Sequence, residues 1–145
     1  MAASGFLDTS VVVRYLMNDD AALAEQAARI IESDADLLLT DGILAEIAFV
    51  LTKNYNVSRQ AVVDELIKLV ERGNVRLYGL DKGVVVQALQ LCRPSGRVSF
   101  ADAMLWASAH SAGVRTVYSF DQRFPNRGIA LLRASQQEEE TSDDD

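Results

Sequence analysis

Thiol chemistry is nearly absent from this chain. Cys92 is its one cysteine, which excludes an internal disulfide framework and a zinc site built from cysteines. His110 is its one histidine, and that too argues against zinc. No apolar run approaches the roughly 20 residues that span a bilayer. Residues 1–5, Met-Ala-Ala-Ser-Gly, show no basic segment followed by a long apolar one, so no export signal is expected and the cytoplasm is the expected location. Lysine is scarce, and none follows Lys82. There is no internal repeat, and no linker long enough to divide the chain. A length of 145 residues suffices for one domain with a substantial core and not for two.

The net charge of −7 is unevenly spread. Residues 136–145 hold six acids and no base, and without them 15 acids face 14 bases. The expected organisation is therefore a single domain over residues 1–133 and an acidic, disordered tail over 134–145. The domain body is close to neutral, which leaves a nucleic-acid partner open. Eleven of the 14 bases are arginine, the side chain better suited to bidentate phosphate contact. Arg14, Lys82, Arg93, Arg97 and Arg123 are candidates for such contact; the bland alternative is that they line solvated helix faces.

Short apolar runs alternate with helical patterns. Residues 6–8 read as the end of a buried strand, with Ser10 capping a helix through Leu16. Asp20 caps residues 21–33, with Leu23, Ala27, Ile30 and Ile31 on one face. Residues 36–40 read as a strand and 42–55 as a helix. Ser58 caps 59–72, and residues 75–78 are a third strand. Asp81 caps 82–92, and Ser99 caps 100–112, which Gly113 closes. Residues 116–120 are a fourth strand and 129–132 a short fifth. Strands alternating with helices predict an α/β fold: three layers, α/β/α, around a central parallel sheet of four to five strands.

The position of the acids is diagnostic. Asp8 is the only charged side chain among residues 1–13, Glu46 the only one in 42–51, and Asp102 the only formally charged one in 98–114. Asp121 ends the apolar strand that holds Val117, Tyr118 and Phe120. A carboxylate in apolar surroundings is seldom buried without a partner. Each acid has a plain structural reading: Asp8 as a helix cap, Asp102 as half of a capping box with Ser99, Asp121 as the cap of a single turn, Glu46 as a solvated helix residue. Together they read differently. Asp8 and Asp121 end parallel strands at the same sheet edge, where open α/β sheets place their chemistry. Asp102 lies in the first turn of its helix and Glu46 one turn into its own, so all four can meet at one rim. Two carboxylates 5 Å apart repel by roughly 3 kcal/mol at an effective dielectric near 20. No Lys or Arg lies within three residues of Asp8, Glu46 or Asp102. A hard divalent cation, Mg²⁺ or Mn²⁺, resolves the repulsion.

The stretches Phe6-Leu7-Asp8-Thr9-Ser10, Ala45-Glu46-Ile47, Ala101-Asp102-Ala103 with Ala107-Ser108-Ala109, and Tyr118-Ser119-Phe120-Asp121-Gln122-Arg123-Phe124 resemble the PIN domain, in the form found in VapC-type toxins of toxin–antitoxin pairs. The resemblance runs from Phe6 to Leu132 in the family's order. It implies a metal-dependent endoribonuclease, the toxin of a type II toxin–antitoxin pair, with an RNA substrate, a small antitoxin protein as partner, a homodimer and no membrane. It implies that Asp8, Glu46, Asp102 and Asp121 are both the catalytic acids and the ligands of one or two Mg²⁺ or Mn²⁺ ions. Thr9, Ser10 and Ser119 become candidates for supporting or phosphate contacts; Ser119 stands where the family often has Thr. The acidic tail is not part of the pattern.

Other readings stay open. A catalytically weak PIN-like module that binds RNA or a protein is the first, and the presence of all four acids counts against it. A phosphoryl-transfer enzyme of the haloacid dehalogenase type wants a second Asp two residues after the first, where Ser10 stands. A receiver-type domain wants a late lysine, and none is present. His110 reads as a proton shuttle or as a surface or packing residue, Trp106 as a base-stacking or core residue, and Cys92 as an apolar filler.

Overall fold

The computed structural model describes residues 4–132, so the acidic stretch over 134–145 lies outside the described residues. In chain order the elements are β1 (Gly5–Phe6), α1 (Thr9–Met17), α2 (Ala21–Ile31), β2 (Leu37–Leu39), α3 (Asp41–Lys53), α4 (Arg59–Val70), β3 (Val75–Leu77), α5 (Lys82–Leu91), α6 (Phe100–Ala112), β4 (Thr116–Tyr118) and β5 (Ala130–Leu132). The helices start where side chains can satisfy the first free N–H groups. Asp20, Thr40, Ser58, Asp81 and Ser99 each accept a hydrogen bond from the backbone N–H three residues on. A cap of this kind is worth about 1 kcal/mol. For α1 the cap is Asp8 and not Ser10: the backbone of Asp8 is extended and its carboxylate accepts from the Ser10 N–H. α6 ends at Gly113, whose left-handed φ of 72° suits glycine.

All strand pairs are parallel, as expected, but the strands divide three and two. One sheet has the order β1-β2-β3, with Gly5 opposite Leu37 and Leu37 opposite Val75. β4 and β5 form a second sheet, with Thr116 opposite Ala130. The expected single sheet of four to five strands is therefore a three-stranded main sheet beside a pair. The length of β1 accounts for this. The N–H groups of Gly5 and Leu7 both go to the β2 side, to Asp36 and Leu38. In a parallel ladder alternate residues serve opposite edges, which leaves Phe6 alone to serve the outer edge. One residue is too little ladder to hold another strand.

Leu37, Leu39 and Val75 of the main sheet are buried with Leu44, Ile47 and Leu51 of α3, Val62 and Leu66 of α4, and Leu89 of α5. Burying a side chain of this size contributes about 1.5–3 kcal/mol. This core sets α1 and α3 side by side at the end of β1. Among the described residues no helix is long and apolar enough to cross a membrane.

Candidate functional site

β1 delivers Asp8 to the start of α1. Its Oδ2 accepts from the Ser10 hydroxyl at 2.7 Å and from the Ser10 N–H at 3.3 Å. The Ser10 hydroxyl is the main reason its carboxyl lies below the usual carboxylate range; hydrogen bonds of this kind favour the charged form. Asp8 is exposed, so it is an anion open to solvent at neutral pH. Thr9 beside it is 7% exposed, and its Oγ1 is buried with no hydrogen-bond partner.

α1 packs against α3, and Glu46 of α3 is brought to the same place. Asp8, Thr9, Ser10, Glu46, Arg14 and Tyr55 line a depression of about 270 Å³. Two lone acids separated by 38 positions in sequence thus share one surface. The donors they offer are oxygens: two carboxylates, the Ser10 hydroxyl and the orphaned Thr9 hydroxyl. That set fits a hard divalent cation such as Mg²⁺ or Mn²⁺, and it is a poor match for a softer ion.

Asp102 and Asp121 are held by other elements. Asp102 is half-buried in the first turn of α6, and its N–H donates to Ser99 Oγ at 3.0 Å. α6 packs on α3, with Ser108 Oγ donating to Asp41 Oδ2 at 3.2 Å. Asp121 follows β4. Its Oδ1 accepts from the Arg123 N–H at 2.9 Å, the chief cause of its lowered pKa, and pairs with the Arg123 guanidinium at 3.4 Å. Ser119 Oγ accepts from the Asp121 N–H at 3.0 Å. Neither Asp102 nor Asp121 lines the depression. Among the described residues, no three His, Cys, Asp or Glu side chains stand close enough together to hold a metal ion. The strand before Asp121, β4, pairs with β5 and is not hydrogen-bonded to β1.

Tyr55, and the link of Arg14 to it through Asp19, were not legible in sequence. Tyr55 donates to Asp19 Oδ2 at 2.8 Å, and Arg14 donates to Asp19 Oδ1 at 3.1 Å. The run Asn18-Asp19-Asp20 reads only as a helix breaker, and Tyr55 is 36 positions from Asp19. No local pattern links them.

His110 and Trp106 are occupied away from this depression. Trp106 Nε1 donates to the Arg127 carbonyl at 3.0 Å, and His110 Nε2 donates to the same oxygen at 2.8 Å. Their rings lie 4.2 Å apart between centroids. Both roles are packing and loop anchoring. Cys92 is fully buried.

A family model described as "PIN domain" matches residues 5–129. No curated protein matches the chain. One solved structure to which it is similar is the crystal structure of Mycobacterium tuberculosis VapC20, described as a sarcin-ricin loop cleaving toxin. That chain is 25% identical, the match covers 88% of this chain and 98% of that one, and the TM-score is 0.41.

Proposed function

The chain belongs to the PIN domain family, and from that premise we propose that it is a metal-dependent endoribonuclease, the toxin of a type II toxin–antitoxin pair. The observation that supports this most is that Asp8 and Glu46 share one depression with the side chains of Thr9 and Ser10. In this reading Asp8 and Glu46 hold a Mg²⁺ or Mn²⁺ ion. Asp102 and Asp121 complete the acid set, assigned by the resemblance of Ala101-Asp102-Ala103 and Ser119-Phe120-Asp121. When bound, such an ion supplies a water of lowered pKa and offsets charge developing on the phosphate.

The chain's own residues do the rest. Ser10 holds Asp8 ionised and fixes one of its oxygens. Thr9 Oγ1 offers a hydroxyl with no competing partner. Ser119 braces the backbone of Asp121. Arg14 places a positive charge on the same depression as the acids, where an RNA phosphate would need one. The partners in this reading are an RNA substrate, a small antitoxin protein and a second copy of the chain.

The test is cleavage of a mixed RNA pool with Mg²⁺ or Mn²⁺, with EDTA, and with Asp8→Asn and Glu46→Gln proteins. Cutting is expected with metal only. Each variant is expected to lose more than about 100-fold, beyond what removal of an outer-shell partner costs. A second reading, a PIN-like module that binds RNA without cutting it, is favoured by the finding that, among the described residues, no three His, Cys, Asp or Glu side chains form a group that could hold a metal ion. RNA retention by metal-loaded wild type without any cutting would establish that reading instead.

A further inference from the structure

Five bases stand out in the sequence as candidates for RNA contact: Arg14, Lys82, Arg93, Arg97 and Arg123. Of these, Arg14 alone lines the depression that holds Asp8 and Glu46. Three of the others are engaged elsewhere. The Lys82 ammonium donates to the carbonyls of Arg72 and Val75 at 3.1 and 2.7 Å. Arg93 pairs with Asp64, and Arg123 with Asp121.

Arg14 is also held in place. Asp19 takes a hydrogen bond from Arg14 on one carboxylate oxygen and from the Tyr55 hydroxyl on the other. The three residues come from α1, from the turn after it, and from the segment after α3. Among the described residues only two that are not glycine have positive φ: Asn18 at 51° and Asn56 at 54°. Asn18 precedes Asp19 and Asn56 follows Tyr55. Asparagine tolerates this conformation better than most side chains. Both backbone reversals therefore sit beside members of the triad. An exposed ion pair contributes little to stability, so holding two helix-end turns this way is poorly explained by stability alone. Only one Arg14 nitrogen is engaged by Asp19, and a guanidinium has five N–H donors in a planar fork.

We propose that Arg14, Asp19 and Tyr55 form a substrate-positioning unit, in which Arg14 takes an RNA backbone phosphate beside the one being cut and Asp19 and Tyr55 hold its guanidinium in place. This rests on the nuclease reading above and deepens it. Asp19 neutralises Arg14 enough to keep it from closing onto Asp8 and Glu46, and leaves its remaining donors free. Tyr55 closes the other side of Asp19, so the carboxylate cannot turn away.

The test uses the full chain with Arg14→Lys, Arg14→Gln, Asp19→Asn and Tyr55→Phe. Cleavage of a single-stranded RNA oligonucleotide is followed with metal at several salt concentrations. Binding is read by fluorescence anisotropy, and folding by thermal unfolding. Arg14→Lys is expected to raise KM about tenfold with kcat within about twofold, because charge is kept and the planar fork is lost. Arg14→Gln is expected to flatten the log–log salt slope of binding by about 0.7, the value for one phosphate contact on a single strand. Asp19→Asn and Tyr55→Phe should raise KM about threefold. Variants that melt earlier with unchanged KM and salt slope would make the triad a structural staple and overturn the proposal. If wild type cuts and all variants cut equally well, this proposal alone falls. If wild type neither cuts nor binds RNA, the nuclease reading falls and this proposal with it.

Discussion

Oδ2 of Asp8 receives both hydrogen bonds from Ser10, so capping α1 occupies one carboxylate oxygen. The structural and the chemical readings of Asp8 are therefore compatible, which sequence spacing could not reveal. Cys92 has no such double part. Its side chain is fully buried, near the carbonyls of Ala88 and Ser99, and burial pushes its thiol up to about 11. Native protein is expected to resist a thiol reagent at pH 8 and to react fully once unfolded in guanidinium. The sign for stability follows from the raised value. The contribution is complete below the ordinary thiol pKa of 9.0 and is lost as pH rises toward about 11. The loss is on the order of 2 kcal/mol. Urea unfolding between pH 8 and 11 checks it, and Cys92→Ala should remove that part of the pH dependence.

At the scale of elements, side-chain caps explain why the helices begin where they do, and α6 shows what a cap leaves free. Ser99 Oγ accepts from the Asp102 N–H. Among the hydrogen bonds of the described residues, the Asp102 carboxylate makes none back to Ser99, so the capping box is half formed. The Asp102 carboxylate is thereby not committed to the helix start. Ser99→Ala is expected to cost about 1 kcal/mol, read from the urea midpoint at unchanged slope. A loss well above 2 kcal/mol would mean that Ser99 does more than cap. The strands behave differently from the helices. β1 has two residues and β2 to β5 three each, and short strands pair only as far as their few backbone groups allow.

At the scale of the whole molecule, the near-neutral body and the acid-rich final residues give one chain two electrostatic characters. Among the described residues, large apolar side chains also stand outside. Phe49 of α3 is 59% exposed and Leu105 of α6 is 47% exposed, on helices that pack against each other. The homodimer of the proposed function would cover them. Light scattering is expected to give twice the chain mass of 15.9 kDa, and Phe49→Glu to return it to one. A monomeric wild type would count against the dimer.

The sequence by itself determined the order of helices and strands, four of the six helix caps, and the parallel pairing. Those features follow from interactions a few residues long, or from patterns repeated along one element. It also singled out Asp8 and Glu46, because a lone acid in an apolar run is visible without a structure. Tertiary structure alone decided which acids share a surface. α1 packs on α3 and brings Asp8 to Glu46, while the strand before Asp121 pairs with β5 in a separate sheet. The Arg14–Asp19–Tyr55 contact was likewise invisible in the chain, since its members meet only when two helices end beside each other. The physical reason is one of range: capping and periodicity are local, whereas the meeting of distant side chains depends on how whole elements pack.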